Sequence, residues 1–145
     1  MIDVRTIEPE MTYNLRHSVL RPHQTVEDCK YDTDIESGAF HVGAFYQGKL
    51  ISVASFCLER NLDFSYEKQY RLRGMATSEE YRKLGAGRTL IAFAENLIKK
   101  QGIDLLWCKG RTTVQAYYNK LGFEAHGEVF DYPPIGPHIM MYKKL

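Results

Sequence analysis

Apolar residues recur along this chain with two different spacings, and each change of spacing marks an element. Strand-length runs rich in β-branched and aromatic residues lie at Ile2 to Ile7, Phe40 to Tyr46, Leu50 to Leu58 and Gln69 to Thr77. Three more follow at Asp104 to Cys108, Phe123 to Phe130 and His138 to Tyr142. Gln47-Gly48 separates the second and third runs, and a glycine there supplies the positive φ that a tight hairpin turn needs. The spacing becomes helical at Leu90, Ile91, Ala94, Leu97 and Ile98, which predicts a helix from about Gly87 that ends at Gly102 after Lys99-Lys100. Val114, Tyr117, Tyr118 and Leu121 repeat it over Thr112 to Leu121, with Gly122 as the stop. Met11, Leu15 and Val19 do so more sparsely between Pro9 and Pro22, and they predict a first helix with those three residues inward. Residues 22–38 have no period and read as a long loop with room for a short helix. Residues 132–137 read as a stiff proline-rich loop.

The resulting order, β α loop β β β α β α β β, predicts an α/β chain built as one domain over 1–145. Its central sheet is expected to be mixed and mostly antiparallel, with helices on both faces. The strand–helix–strand unit over 69–108 is a crossover, so its two strands should run parallel. At 145 residues the chain can bury about 70% of its unfolded surface without metals or disulfides. Cys29, Cys57 and Cys108 form no CxxC pair, and no His pair has ligand spacing, so no metal site is expected. No apolar run has membrane-spanning length and the start lacks a secretion-signal layout, so the expected location is cytoplasmic, away from membranes.

The formal net charge is only +1, but that figure averages over a strong segregation. Residues 24–67 hold eight acidic against three basic residues, whereas residues 68–111 hold ten basic against four acidic. A basic block inside a neutral domain points to one anionic ligand; a nucleic-acid binder usually carries its excess over the whole domain. The scattered tyrosines offer no stacking platform either, so nucleic acid ranks last among partners.

Within the basic block lies Arg82-Lys83-Leu84-Gly85-Ala86-Gly87-Arg88-Thr89, between a strand and a helix start. Free backbone N–H groups at a helix N-terminus suit an anion such as pyrophosphate, and glycines let the backbone come close to it. The segment does not match GxxxxGK[ST]. The dinucleotide fingerprint fails as well, because Leu90 stands where its third glycine would be.

Leu72-Arg73-Gly74-Met75-Ala76-Thr77, then Arg82 with Gly85 and Gly87, then Tyr118 with Gly122 and Phe123, together resemble the GNAT superfamily of acyl-CoA-dependent N-acyltransferases. Arg82, Gly85 and Gly87 fit its [RQ]xxGx[GA] loop, and Tyr118, Gly122 and Phe123 fit its Y-x-x-x-G-F helix end. Leu20-Arg21-Pro22, His41 to Phe45 and Ala54 to Phe56 add likeness to bacterial members.

The resemblance implies transfer of an acetyl group from acetyl-CoA directly to a primary amine. It also implies cofactor contacts at Met75, Ala76 and Thr77 and at Arg82, Lys83, Leu84, Gly85, Ala86, Gly87, Arg88 and Thr89. Tyr118 would be the general acid that protonates the departing thiolate, with Tyr117 beside it as packing. Glu59, just past a central strand, is the first candidate for the base that takes the amine proton, followed by His41 and His138. Arg71 and Arg73 share a strand face with Met75 and Thr77 by the period of two.

Where many members carry asparagine, this chain reads Lys109-Gly110-Arg111, and Lys109 or Arg111 could reach a phosphate or an acidic acceptor instead. The acidic residues of 22–38 argue the other way, for a cationic amine. A non-catalytic acyl-CoA-binding or regulatory module remains the alternative reading. Open sheet edges would permit a homodimer.

Overall fold

In the computed structural model, which describes residues 1–145, one seven-stranded sheet runs in the order β1-β2-β3-β4-β5-β7-β6. Its strands are β1 (Ile2–Ile7), β2 (Phe40–Tyr46), β3 (Lys49–Leu58), β4 (Tyr70–Thr77), β5 (Leu105–Arg111), β6 (Glu124–Tyr132) and β7 (Gly136–Lys144). All neighbours are antiparallel except β4 and β5. The expected α/β class, the mixed sheet and the parallel crossover are therefore observed. The β2–β3 turn is made by Gln47 and Gly48, both at positive φ.

Helix α2 (Ala86–Lys100) lies across one face of the sheet and buries Leu90, Ile91, Ala94 and Ile98 there. Burial of each of the leucine and isoleucine side chains is worth about 1.5–3 kcal/mol. These side chains meet Val42, Ala44, Ile51, Ala54 and Phe56 from β2 and β3 in the main core. Helix α3 (Gln115–Lys120) packs toward β6, and the 3₁₀ turn that precedes it after β5 meets β7.

The first helical segment covers the opposite face and departs from expectation. It is a 3₁₀ turn at Pro9–Thr12, one α-helical turn, α1 (Tyr13–Leu15), and a wider π turn at Arg16–Leu20 closed by Arg21 N–H to Arg16 O at 3.1 Å. Its fully buried residues are Thr12 and Arg16, whereas Met11 is exposed. The sparse apolar stripe therefore does not mark the inward face; a buried ion pair does.

Two further differences shape the middle of the molecule. Strand β5 continues through Lys109, Gly110 and Arg111, because β7 pairs along it as far as Arg111 with His138. In β4, Gly74 adopts φ +59° where the β3–β4 register shifts. Tyr70, Leu72 and Met75 all pack toward the α2-side core, spaced by two and then three. The bulge thus breaks the alternation, and Arg71 and Arg73 do not share a face with Met75.

Candidate active site

Strands β4 and β5 pair only at Tyr70–Leu106 and Arg71–Trp107 and then diverge. Beyond Arg71 the β5-facing backbone groups of β4 have no strand partner, and the gap opens into a cleft of ≈ 750 Å³. Met75, Ala76 and Thr77 line one wall, and Lys109, Gly110, Arg111 and Tyr118 line the other.

Arg82, Lys83, Gly85, Gly87 and Arg88 close one end of the cleft, where α2 begins. Gly85 stands at the helix start with φ +75°, and it accepts hydrogen bonds from the Thr89 N–H and hydroxyl at 3.2 and 3.1 Å. Ala86 turns into the core, and Leu84 is exposed at the loop's outer side. A Cβ at Gly87 would collide with the Tyr117 hydroxyl and come within 2.9 Å of Met75 Cε, so any other residue there would have to push these two side-chain ends aside. The cleft wall carries nine Lys and Arg residues and no Asp or Glu.

Tyr118 packs edge-on against Phe123 and Tyr117, with ring centroids 5.6 and 5.8 Å away. It also lies against Gly110, where a Cβ would stand 3.4 Å from the ring. Burial raises its phenol far above the ordinary tyrosine pKa, so it stays protonated throughout the neutral and mildly alkaline range. Tyr117, expected as packing, is 42% exposed and lines the cleft. The Cys108 thiol behind this wall is pushed up to about 12 by burial, which leaves no reactive thiolate there.

The three base candidates separate. Glu59 lies outside the cleft wall, and its carboxylate accepts from Arg71 at 3.1 and 3.2 Å. His41 is buried away from the cleft with both ring nitrogens engaged. His138 does line the cleft, and its Nδ1 contacts the Gly136 carbonyl oxygen at 2.9 Å. A carbonyl only accepts, so Nδ1 carries a hydrogen, and in the neutral ring the Nε2 lone pair is the free one. The acidic side chains of residues 22–38 do not face the cleft at all. Asp34 is spent on Arg16, Glu27 on Lys30 and Asp28 on Thr25. Their expected role in drawing a cationic amine into the cleft has no geometric counterpart.

Residues 6–123 match the model of the acetyltransferase (GNAT) family. The chain belongs to the GNAT family. Over 145 residues, all of this chain and 97% of the relative, it is 50% identical to the uncharacterised N-acetyltransferase YitI of Bacillus subtilis. Among solved structures, an acyl-CoA N-acyltransferase from Pseudomonas aeruginosa superposes with TM-score 0.74 at 21% identity, covering 99% of each chain. An aminoglycoside 6'-N-acetyltransferase complexed with coenzyme A superposes with TM-score 0.77 at 13% identity, covering 98% of this chain and 96% of the other. These two likenesses are of fold. Family membership makes the protein an N-acetyltransferase of the acyltransferase class, and GNAT enzymes use acetyl-CoA.

One feature of this GNAT chain has no signature in its sequence. Arg16, with 0% of its side chain exposed, holds Asp34 through two hydrogen bonds of 2.7 and 2.8 Å. It also donates to the Cys29 carbonyl and to Ser55 Oγ, while the Tyr31 ring lies 4.0 Å from the guanidinium. The Asp34 carbonyl can only accept, so His41 Nε2 carries a hydrogen and donates to it, and in the neutral ring Nδ1 then accepts from the Ser55 hydroxyl, whose oxygen accepts from Arg16. This network pins residues 22–38 to β3 and sets Tyr31 as a wall of the cleft.

Burial alone would raise the Asp34 pKa, but the Arg16 hydrogen bonds and charge outweigh it and hold the carboxyl below its ordinary value. A depressed carboxylate pKa contributes stability that is present above the unfolded value, about 4, and is lost as pH falls through the folded value. Urea unfolding followed from pH 5 down to pH 2 should therefore show the wild type losing stability more steeply than Asp34→Asn. Equal slopes would remove Asp34 from the acid response.

Proposed function

We propose that the protein transfers an acetyl group from acetyl-CoA directly to a primary amine in the β4–β5 cleft, with the pyrophosphate held at residues 82–88. The observation that carries this reading is the glycine-lined, cation-rich start of α2 opening onto the unpaired edge of β4. The N–H groups of the first α2 turn have no partner inside the helix and sit at the positive end of its dipole. Arg82, Lys83 and Arg88 add charge, and Gly87 leaves room that a side chain would fill.

When bound, acetyl-CoA supplies an activated thioester. A free N–H along Met75 to Thr77 polarises the acyl carbonyl, as a preorganised donor aimed at developing negative charge. His138 Nε2, rather than Glu59, takes the proton that the attacking amine loses, because His138 lies in the cleft and Glu59 does not. Tyr118 gives its phenolic proton to the departing thiolate. No acyl-enzyme is needed, in keeping with a buried, protonated Cys108.

The cofactor half of this reading predicts a melting shift. At a hundredfold excess over its dissociation constant, acetyl-CoA should stabilise the wild type by about 2.7 kcal/mol. For a chain of this size that is roughly 5–10 °C. Gly87→Glu places a carboxylate and a colliding Cβ at the loop and should abolish the shift, its ligand-free melt serving as the control for folding. Absence of a wild-type shift at millimolar acetyl-CoA would refute the binding site.

A further inference from the structure

Six of the nine cations of the cleft fall into two groups. Arg82, Lys83 and Arg88 belong to the loop at the start of α2. Arg71, Arg73 and Lys109 lie toward the other end, on β4 before its bulge and on the facing strand β5. Arg73 is four residues before Thr77, roughly 13 Å of strand, so a pyrophosphate on the loop leaves this second group without a counter-charge.

The protein supplies a counter-charge to only one of the three. Arg71 is paired with Glu59. Arg73 has only neutral company, donating to Thr33 Oγ1 at 3.1 Å with its guanidinium 4.4 Å from the Tyr31 ring centre. Lys109 has the Phe130 ring at 6.0 Å and no carboxylate. Both residues are part-buried, and leaving partly desolvated charges unpaired is costly.

Tyr132 reports the field at this end. Burial would raise its pKa, yet Arg73, Arg71 and Lys109 lower it below the ordinary tyrosine value. Its ring stands 4.8 Å from that of His138, so the positive region adjoins the histidine that faces the amine.

We propose that the acceptor is a primary amine that also carries an anionic group, a carboxylate or a phosphate, held by Arg73 and Lys109 at the end of the cleft remote from the pyrophosphate loop. The proposal rests on the acetyltransferase reading above and narrows its acceptor class. A polyamine or aminoglycoside would bring positive charge to a wall that holds no carboxylate.

The test is thiol release by the wild-type enzyme at saturating acetyl-CoA with matched acceptors: α-amino acids, their amides, phosphoethanolamine and aliphatic diamines. An anionic amine should exceed its uncharged counterpart in kcat/KM by roughly 10–100-fold, the value of a hydrogen bond to a charged group. The amino acids and phosphoethanolamine tell carboxylate from phosphate. Arg73→Gln and, separately, Lys109→Gln should bring that ratio most of the way to one, each variant being checked by its melt for folding. Amides and diamines acetylated as well as the anionic amines would overturn the proposal and leave the acetyltransferase reading standing. A wild-type preference that both variants keep would overturn the placement of the anion. Thiol release with no amine of any charge would overturn the acetyltransferase reading, and this proposal with it.

Discussion

Replacing Tyr118 by phenylalanine is expected to lower turnover by roughly 10²–10⁴-fold, equivalent to about 3–5 kcal/mol of barrier, while the melting shift with acetyl-CoA persists. The loss should fall on kcat, because the hydroxyl acts only as the thiolate departs. Folding should be nearly unaffected: the ring keeps its edge contacts with Phe123 and Tyr117, and no hydrogen bond contributes to the state of its hydroxyl. Since burial keeps the phenol protonated far into the alkaline range, turnover should show no alkaline loss from this group up to about pH 10. An unchanged kcat in the phenylalanine variant would return Tyr118 to a packing role.

The second large effect is on stability. Arg16→Leu leaves the Asp34 carboxylate buried without its cation, which costs about 3–5 kcal/mol. The expected fall in melting temperature is roughly 10 °C or more for a chain of this size. Adding Asp34→Leu should recover part of that loss, because removing both partners spares the uncompensated charge. A double-mutant cycle by urea unfolding measures the coupling; additive losses would show that the pair does not hold residues 22–38 in place. Loosening that segment also frees Tyr31, a cleft wall, so the single variant should lose acceptor affinity along with stability.

What the sequence revealed, and what it concealed, follows from the range of each interaction. Helix α2 and the strand runs were legible because burial imposes a local period, and the 82–88 loop because its glycines and cations are contiguous. Arg16 and Asp34 are eighteen positions apart, and neither belongs to an apolar pattern, so the face buried by the first helical segment was misread from Met11, Leu15 and Val19. The Gly74 bulge shifts the strand alternation by one residue, which a period of two cannot show. Glu59 sits at a strand end as expected, but Arg71 claims its carboxylate outside the cleft. His138 reaches the cleft only because β7 pairs along the full extension of β5. The overall charge concealed most: Glu27, Asp28 and Asp34 are spent locally, and cations of the basic block stand at two ends of one cleft.

Amine acetylation from acetyl-CoA in the β4–β5 cleft has a single decisive readout: free thiol and product mass followed together, with wild-type protein, acetyl-CoA and primary amines of each charge class. One thiol and one N-acetylated amine should form per turnover, at rates that collapse in Tyr118→Phe. Acetyl-CoA that raises the melting temperature but yields no thiol above the hydrolysis blank with any amine would contradict it, and would leave an acyl-CoA-binding module in its place.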